Sequence, residues 1–272
     1  MSEHPAFRFG PAILFCPADR PERYAKAFDR ADAVILDLED AVAPDAKHAA
    51  RLALVSTPLD PERVIVRVNP ASTEAFAADL GALAATDYRT VMLAKCEGTA
   101  DLVELAEFEV IALCETARGV LAAPEIAAIP NVSALMWGAE DLVASLGGSS
   151  SRAADGGYRE VARHARSRVL LSAGAHGIAA IDAVHLDIAD LDGLRAEAED
   201  AAAVGFAATA CIHPSQAGVV REAYLPDAER LEWAHAVLEA AAGERGVFAF
   251  RGAMVDAPLL AQAAAVLRRA RD

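Results

Sequence analysis

VILDLEDAV, residues 34–42, sets three acids at the end of an apolar run. Val34, Ile35 and Leu36 favour β structure, and near-continuous apolar character marks a strand buried on both faces of a parallel sheet. Asp37, Glu39 and Asp40 follow at once. Unpaired carboxylates are costly to bury, so a strand does not carry them for packing. They are either a solvated strand end or a site.

Seven further runs repeat the pattern: AILFCP (12–17), RVIVRVN (63–69), TVMLAKC (90–96), EVIALCET (109–116), VSALMWG (132–138), IDAVHLD (181–187) and ATACIHP (208–214). Between them lie helix-compatible segments rich in Ala, Leu, Glu and Arg, such as 21–31, 73–85 and 156–177, with 125–130 the shortest. Eight strands, each followed by a helix, predict a (β/α)8 TIM barrel; an open doubly wound sheet is the alternative. No G-x-G-x-x-G follows the first strand, which weakens the open dinucleotide fold. Residues 1–215 are expected to form the barrel core, and 216–272 a C-terminal helical extension or lid within the same domain. There, 227–243 reads as a helix ended by Gly243. Residues 246–258 read as a hairpin or extended turn around Arg251-Gly252. Residues 258–272 read as a terminal helix with Pro258 near its start and arginines in its last turns. LGGSSSRAADGG (146–157) reads as a long flexible loop.

The 272 residues are 54% hydrophobic and carry a net charge of −15. No Lys/Arg run exists, so nucleic acid and anionic membrane surfaces are not expected partners. No apolar run reaches transmembrane length, and no secretory leader is read at the start. The four cysteines lie far apart in apolar runs. That predicts buried, reduced thiols and a cytoplasmic protein.

The polar residues fall on one side. Pro17 to Arg20 end the first strand, and the opening acids end the second. Arg67 and Asn69, Lys95, Glu115 with Arg118, and Glu140 with Asp141 end the next four. His185 and Asp187, then His213, Ser215 and Gln216, end the last two. The carboxyl ends of barrel strands are where sites form, so a site is expected at this face. Glu115 and Asp141 end neighbouring strands and suit a hard divalent cation, although Asp141 also reads as a helix N-cap before LVASL. Arg67 needs an anionic partner inside its apolar strand, either the strand-two acids or a substrate carboxylate. His185 and His213 are acid/base candidates, each more readily a hydrogen-bonded structural residue. Arg20, Arg23 and Lys26 are a solvated face or a phosphate contact.

In order and spacing, LFCPADRPER (14–23), VILDLEDAV (34–42), VRVN (66–69), ETARG (115–119), GAEDL (138–142), HLD (185–187), CIHPSQ (211–216) and MVDAP (254–258) resemble the citrate lyase β-subunit-like branch of the HpcH/HpaI aldolase family. The resemblance covers essentially the whole length. It implies a barrel of the phosphoenolpyruvate/pyruvate-binding type, a homotrimer, Mg²⁺ as cofactor, and chemistry on a carbon–carbon bond between an oxo acid and an acyl thioester. It implies Glu115 and Asp141 as metal ligands and Arg67 as the substrate carboxylate clamp. Backbone N–H groups at Gly138 and Ala139 would be further contacts. Asp37, Glu39 and Asp40 would form the hydrogen-bonded wall, with Asp37 grouped as catalytic beside Arg67 and Asp256. Arg20 joins the substrate-binding set. Asp256 would transfer the proton; by its residues alone it is a turn Asp before Pro258. Two departures narrow the activity. Asp40 stands where free-acid aldolases of the family carry a His, and Pro17-Ala18 stands where the carrier-protein-dependent subunit has Pro-Gly. The expectation is a stand-alone lyase of β-hydroxyacyl-coenzyme A thioesters. A malate-synthase-like condensing enzyme or thioesterase, a free-acid aldolase and a non-catalytic lyase subunit are the alternatives.

Overall fold

The computed structural model describes residues 4–244 and 246–270. Its strands β1 (Ala12–Pro17), β2 (Ala33–Asp37), β3 (Val64–Val68), β4 (Thr90–Leu93), β5 (Glu109–Cys114), β6 (Val132–Trp137), β7 (Ala179–Asp182) and β8 (Ala208–Cys211) are all parallel and close into a barrel in chain order. The eight runs read from sequence are these eight strands, and the open-sheet alternative is excluded by the pairing of β1 with β8. The surrounding helices are α1 (Tyr24–Arg30), α2 (Lys47–Ser56), α3 (Glu74–Leu83), α4 (Ala117–Ala127), α5 (Ala139–Ser145), α6 (Glu160–His176), α7 (Leu191–Val204) and α8 (Pro214–Tyr224).

Two connections depart from the expected pattern. The β4–β5 link is a 3₁₀ segment, Thr99–Leu105, and no α-helix. The helix read over 125–130 starts much earlier: Thr116 accepts from the Gly119 N–H as N-cap, and Pro124 is carried inside α4. Proline is a weaker stop signal here because the helix buries Val120, Ala123 and Ile126.

Strand side chains alternate faces, and this alternation places the site. Ile13, Ala33 and Ile35, Ile65, Met92, Ile111 and Leu113, Ala134 and Met136, Ile181, and Ala208 and Ala210 form the barrel's inner cluster, joined by Phe9 from before β1. One step of two beyond Ile35 is Asp37, beyond Ile65 is Arg67, beyond Leu113 is Glu115, and beyond Met136 is Gly138. The polar set therefore continues the inward parity of the core at its carboxyl end. β2 and β3 also pair Asp37 directly with Arg67 in register.

The chain divides into two compact units between Val220 and Arg221. In the second, α9 (Ala228–Ala241) precedes a hairpin of β9 (Phe248–Phe250) and β10 (Ala253–Val255), then α10 (Ala257–Arg269). Arg251 and Gly252, with φ of 47° and 82°, make the turn. Two consecutive positive φ values are the hairpin geometry that matches strand twist. Ala234, Val237, Val255, Ala263 and Val266 form this unit's own core. No helix among the described residues is long and apolar enough to cross a membrane.

Candidate active site

Arg67 is buried, and its guanidinium donates from Nε to Asp37 Oδ1 (2.7 Å) and from Nη2 to Asp37 Oδ2 (2.6 Å). Asp37 is fully buried and also accepts from the Glu39 and Ala41 backbone N–H groups. Nη1 lies 3.2 Å from Glu39 Oε2, and the guanidinium stacks over Phe15 at 4.8 Å. Burial opposes the charge, but Asp37, with Glu39 and Glu115, more than offsets it and raises the Arg67 pKa. So the strand-two acids are the partners of Arg67 that the sequence left undecided. A guanidinium has five N–H groups. Asp37 takes two, Glu39 faces a third, and Arg67 borders a cavity of about 220 Å³. A carboxylate there meets a fork already fixed in direction, which is the arrangement arginine provides and lysine does not.

Glu115, 3% exposed, lines the same cavity with Asp37, Gly138, Ala139, Glu140 and Asp141. Burial, then the nearby Asp141 charge, push its carboxyl up to about 8. Its Oε1 accepts from the Lys95 backbone N–H at 3.1 Å. On its other side is Gly138, where an added Cβ would stand 2.9 Å from Oε2. The glycine is needed for this close approach. Gly138 is the N-cap of α5, with no side-chain cap, so Asp141 lies inside the first turn and is not the cap that the sequence allowed. The first backbone N–H groups of α5 have no intrahelical partner, as at every helix start, and Gly138 and Ala139 line the cavity.

Lys95 has no role assigned to it by the sequence. It was visible only as a polar strand end, which usually means a solvated lysine. Its φ is +49°, rare for a residue with a side chain, and this turn aims both its N–H and its ammonium at the acids. Nζ lies 2.5 Å from Glu39, 2.8 Å from Asp40, 3.2 Å from Asp141 and 4.0 Å from Glu115. Burial opposes the charge, yet the hydrogen bonds of Asp40 and Glu39 raise its pKa. Burial raises the Glu39 pKa, while Lys95, against some burial, lowers that of Asp40. Five carboxylates here face two cations, Arg67 and Lys95.

The loop carrying these acids is pinned from behind. Lys47 Nζ donates to the Leu38 and Glu39 carbonyls and to Asn69 Oδ1, and Asn69 in turn is held by the fully buried Asp79, which also pairs with Arg51.

Other sequence candidates fall elsewhere. Arg20 follows β1 and is exposed, 3.8 Å from Asp19. His185 pairs with Glu197 through Nδ1 (2.9 Å), and His213 contacts Ser215, so both are structural in their bonding. Glu197 also pairs with Arg152, and Ser151 donates to Glu140; these bonds fix the loop that composition had marked as flexible. Asp256 lies in the second unit, where it caps α10 by accepting from the Leu259 N–H. The four cysteines are buried. Burial pushes Cys16 up to about 11 and Cys96 up to about 12, which makes poor nucleophiles. A second groove, of about 340 Å³, lies along α4 and α6, lined by Pro124, His164 and Arg168 among others, without clustered acids.

Among the described residues no group of three or more His, Cys, Asp or Glu forms a metal cage. Two all-oxygen donors, Glu115 and Asp141, open onto one cavity. That donor set fits Mg²⁺, which is commonly held by one or two carboxylates while substrate and water supply the other oxygens.

The model of the HpcH/HpaI aldolase/citrate lyase family matches residues 12–214. The citrate lyase subunit beta-like protein of Mycobacterium tuberculosis is 62% identical over 261 residues, 96% of each chain. The mitochondrial citramalyl-CoA lyase of Mus musculus is 31% identical over 288 residues, covering 93% of this chain and 83% of that one. The crystal structure of CitE from M. tuberculosis in complex with magnesium, acetoacetate and coenzyme A superposes with a TM-score of 0.94 at 62% identity, covering 97% of this chain and 99% of that chain.

Proposed function

Because this chain belongs to the HpcH/HpaI aldolase/citrate lyase family, we infer that its cavity is the active site of a Mg²⁺-dependent lyase that cleaves β-hydroxyacyl-coenzyme A thioesters to an acyl-CoA and an oxo acid. The chain is a metal-dependent lyase; the finer assignment is the thioester, of the malyl-, citramalyl- or 3-hydroxy-3-methylglutaryl-CoA type. One observation carries it: a guanidinium fixed by Asp37, the buried Glu115 and the half-buried Asp141 border one small cavity.

Glu115 and Asp141 would hold the metal, which when bound supplies Lewis-acid stabilisation of the oxygen that becomes the oxo group. Arg67 holds the substrate carboxylate, and Asp37 keeps the guanidinium from turning away. Backbone N–H groups at Gly138 and Ala139 are assigned as further contacts to that carboxylate. Glu39 and Asp40 line the polar wall. The substrate hydroxyl gives up its proton to water, its O–H electron pair becomes the second bond of the oxo group, and the broken carbon–carbon bond leaves its pair on the acyl α-carbon, stabilised as a thioester enolate. Asp256 is assigned as the acid that protonates that carbon, and as the base that removes the proton in the reverse direction. This assignment, the place of Arg20 among the substrate contacts and the homotrimer rest on family resemblance, and the cytoplasmic location on the reading of the cysteines as reduced thiols. A monomeric mass by light scattering would remove the trimer.

The reading predicts that an oxo acid such as pyruvate binds only with Mg²⁺ present, and about 100-fold more weakly in Arg67→Ala, as expected when a charge-assisted carboxylate fork is lost. Calorimetry on both proteins measures this. Equal pyruvate affinity with and without Mg²⁺, or in both proteins, would sink the assignment.

A further inference from the structure

Lys95 presents one ammonium to four carboxylates, Glu39, Asp40, Asp141 and, at 4.0 Å, Glu115. Resting on the lyase reading above, we propose that Lys95 is the resident counter-cation of the metal-free site, holding the acids together until a divalent cation takes over its share of them. Three observations carry it.

The first is position. The two acids assigned to the metal, Glu115 and Asp141, both lie within reach of Nζ, at 4.0 and 3.2 Å. Any cation coordinated by these carboxylates must share them with the ammonium. The second is donor count. An ammonium has three N–H groups. Glu39 and Asp40 take two at 2.5 and 2.8 Å, and the longer 3.2 Å contact to Asp141 is the one most easily surrendered. The third is backbone. A lysine at φ +49° is held in the left-handed region against its preference. The same turn gives Glu115 the Lys95 N–H, so main chain and side chain serve the same acids.

Lys95 in this account is a positioning residue with a definite sign. Like charges repel, so its ammonium weakens metal binding while stabilising the metal-free protein. A residue that merely ordered the metal ligands would do the reverse, and its loss would weaken metal binding.

The experiment compares wild type with Lys95→Met by Mg²⁺ calorimetry and by thermal melting with and without Mg²⁺. The variant is expected to bind Mg²⁺ at least about tenfold more tightly, to melt lower without metal, and to gain more in Tm on adding it. Mg²⁺ binding that is unchanged or weaker in the variant overturns the role of Lys95 and leaves the lyase reading standing. Wild type that binds no Mg²⁺ overturns the lyase reading itself. Should Lys95→Met fail to fold, a crystal structure of the wild type with Mg²⁺ and pyruvate decides. The proposal expects Nζ beyond 4 Å from Asp141 Oδ1; retention of the 3.2 Å contact with metal bound overturns it.

Discussion

Glu115 is where burial and like charge meet. Its carboxyl, pushed up to about 8 from a reference of 4.5, stays protonated at neutral pH in the metal-free protein. The folded state therefore holds a proton that the unfolded chain releases. Stability from this group is full below pH 4.5 and is lost as pH rises through 8. Metal binding must expel the proton. Mg²⁺ affinity is expected to rise with pH up to about 8 and then level off, with close to one proton released per metal at pH 7. Calorimetry at pH 7 in two buffers of different ionisation enthalpy reads that proton directly, and identical apparent enthalpies would remove it. At this scale the sequence showed which side chains are chemically loaded, because an arginine inside VIVRV and acids inside VILDLED have no packing rationale. It placed Lys95 at a strand end but did not show its role, because a positive φ at a non-glycine residue leaves no trace in composition.

Elements decide which of these side chains converge. The two-residue period carries Ile35 to Asp37, Ile65 to Arg67 and Leu113 to Glu115 on one face. That was legible, since near-continuous apolar runs state where each strand ends. Helix starts were less so: the stretch read as a short helix over 125–130 is the end of α4, because the Thr116 cap and the buried face outweigh Pro124. The Asp256 assignment belongs at this scale too, because the same carboxylate caps α10. Asparagine caps a helix about as well as aspartate but transfers no proton. Asp256→Asn is expected to keep the melting temperature within about 2 °C, given the near-equal capping, and to stop deuterium exchange at the acyl-CoA α-carbon. Continued exchange would move the base elsewhere. Lost exchange with a large fall in Tm would point to the cap rather than to the chemistry.

Across the molecule, the one-sided distribution of polar strand ends pointed to the carboxyl face of the barrel, and Asp37, Arg67, Glu115 and Asp141 line one cavity there. The hairpin at Arg251-Gly252 was readable from its turn signal, and the final helix from Pro258 and its closing arginines, residues 271 and 272 lying outside the described residues. The acyl group was not, because a methyl or methylene is distinguished by pocket shape, which many distant segments build together. The most direct test of the central claim is mass spectrometry of the purified protein with Mg²⁺ and a panel of malyl-, citramalyl- and 3-hydroxy-3-methylglutaryl-CoA, beside Glu115→Ala. Metal-dependent formation of acetyl-CoA or propionyl-CoA together with an oxo acid is expected in wild type, falling at least about 1,000-fold in the variant, as for loss of a transition-state charge stabiliser. Release of free coenzyme A with the carbon skeleton intact, or equal cleavage by the variant, would contradict it.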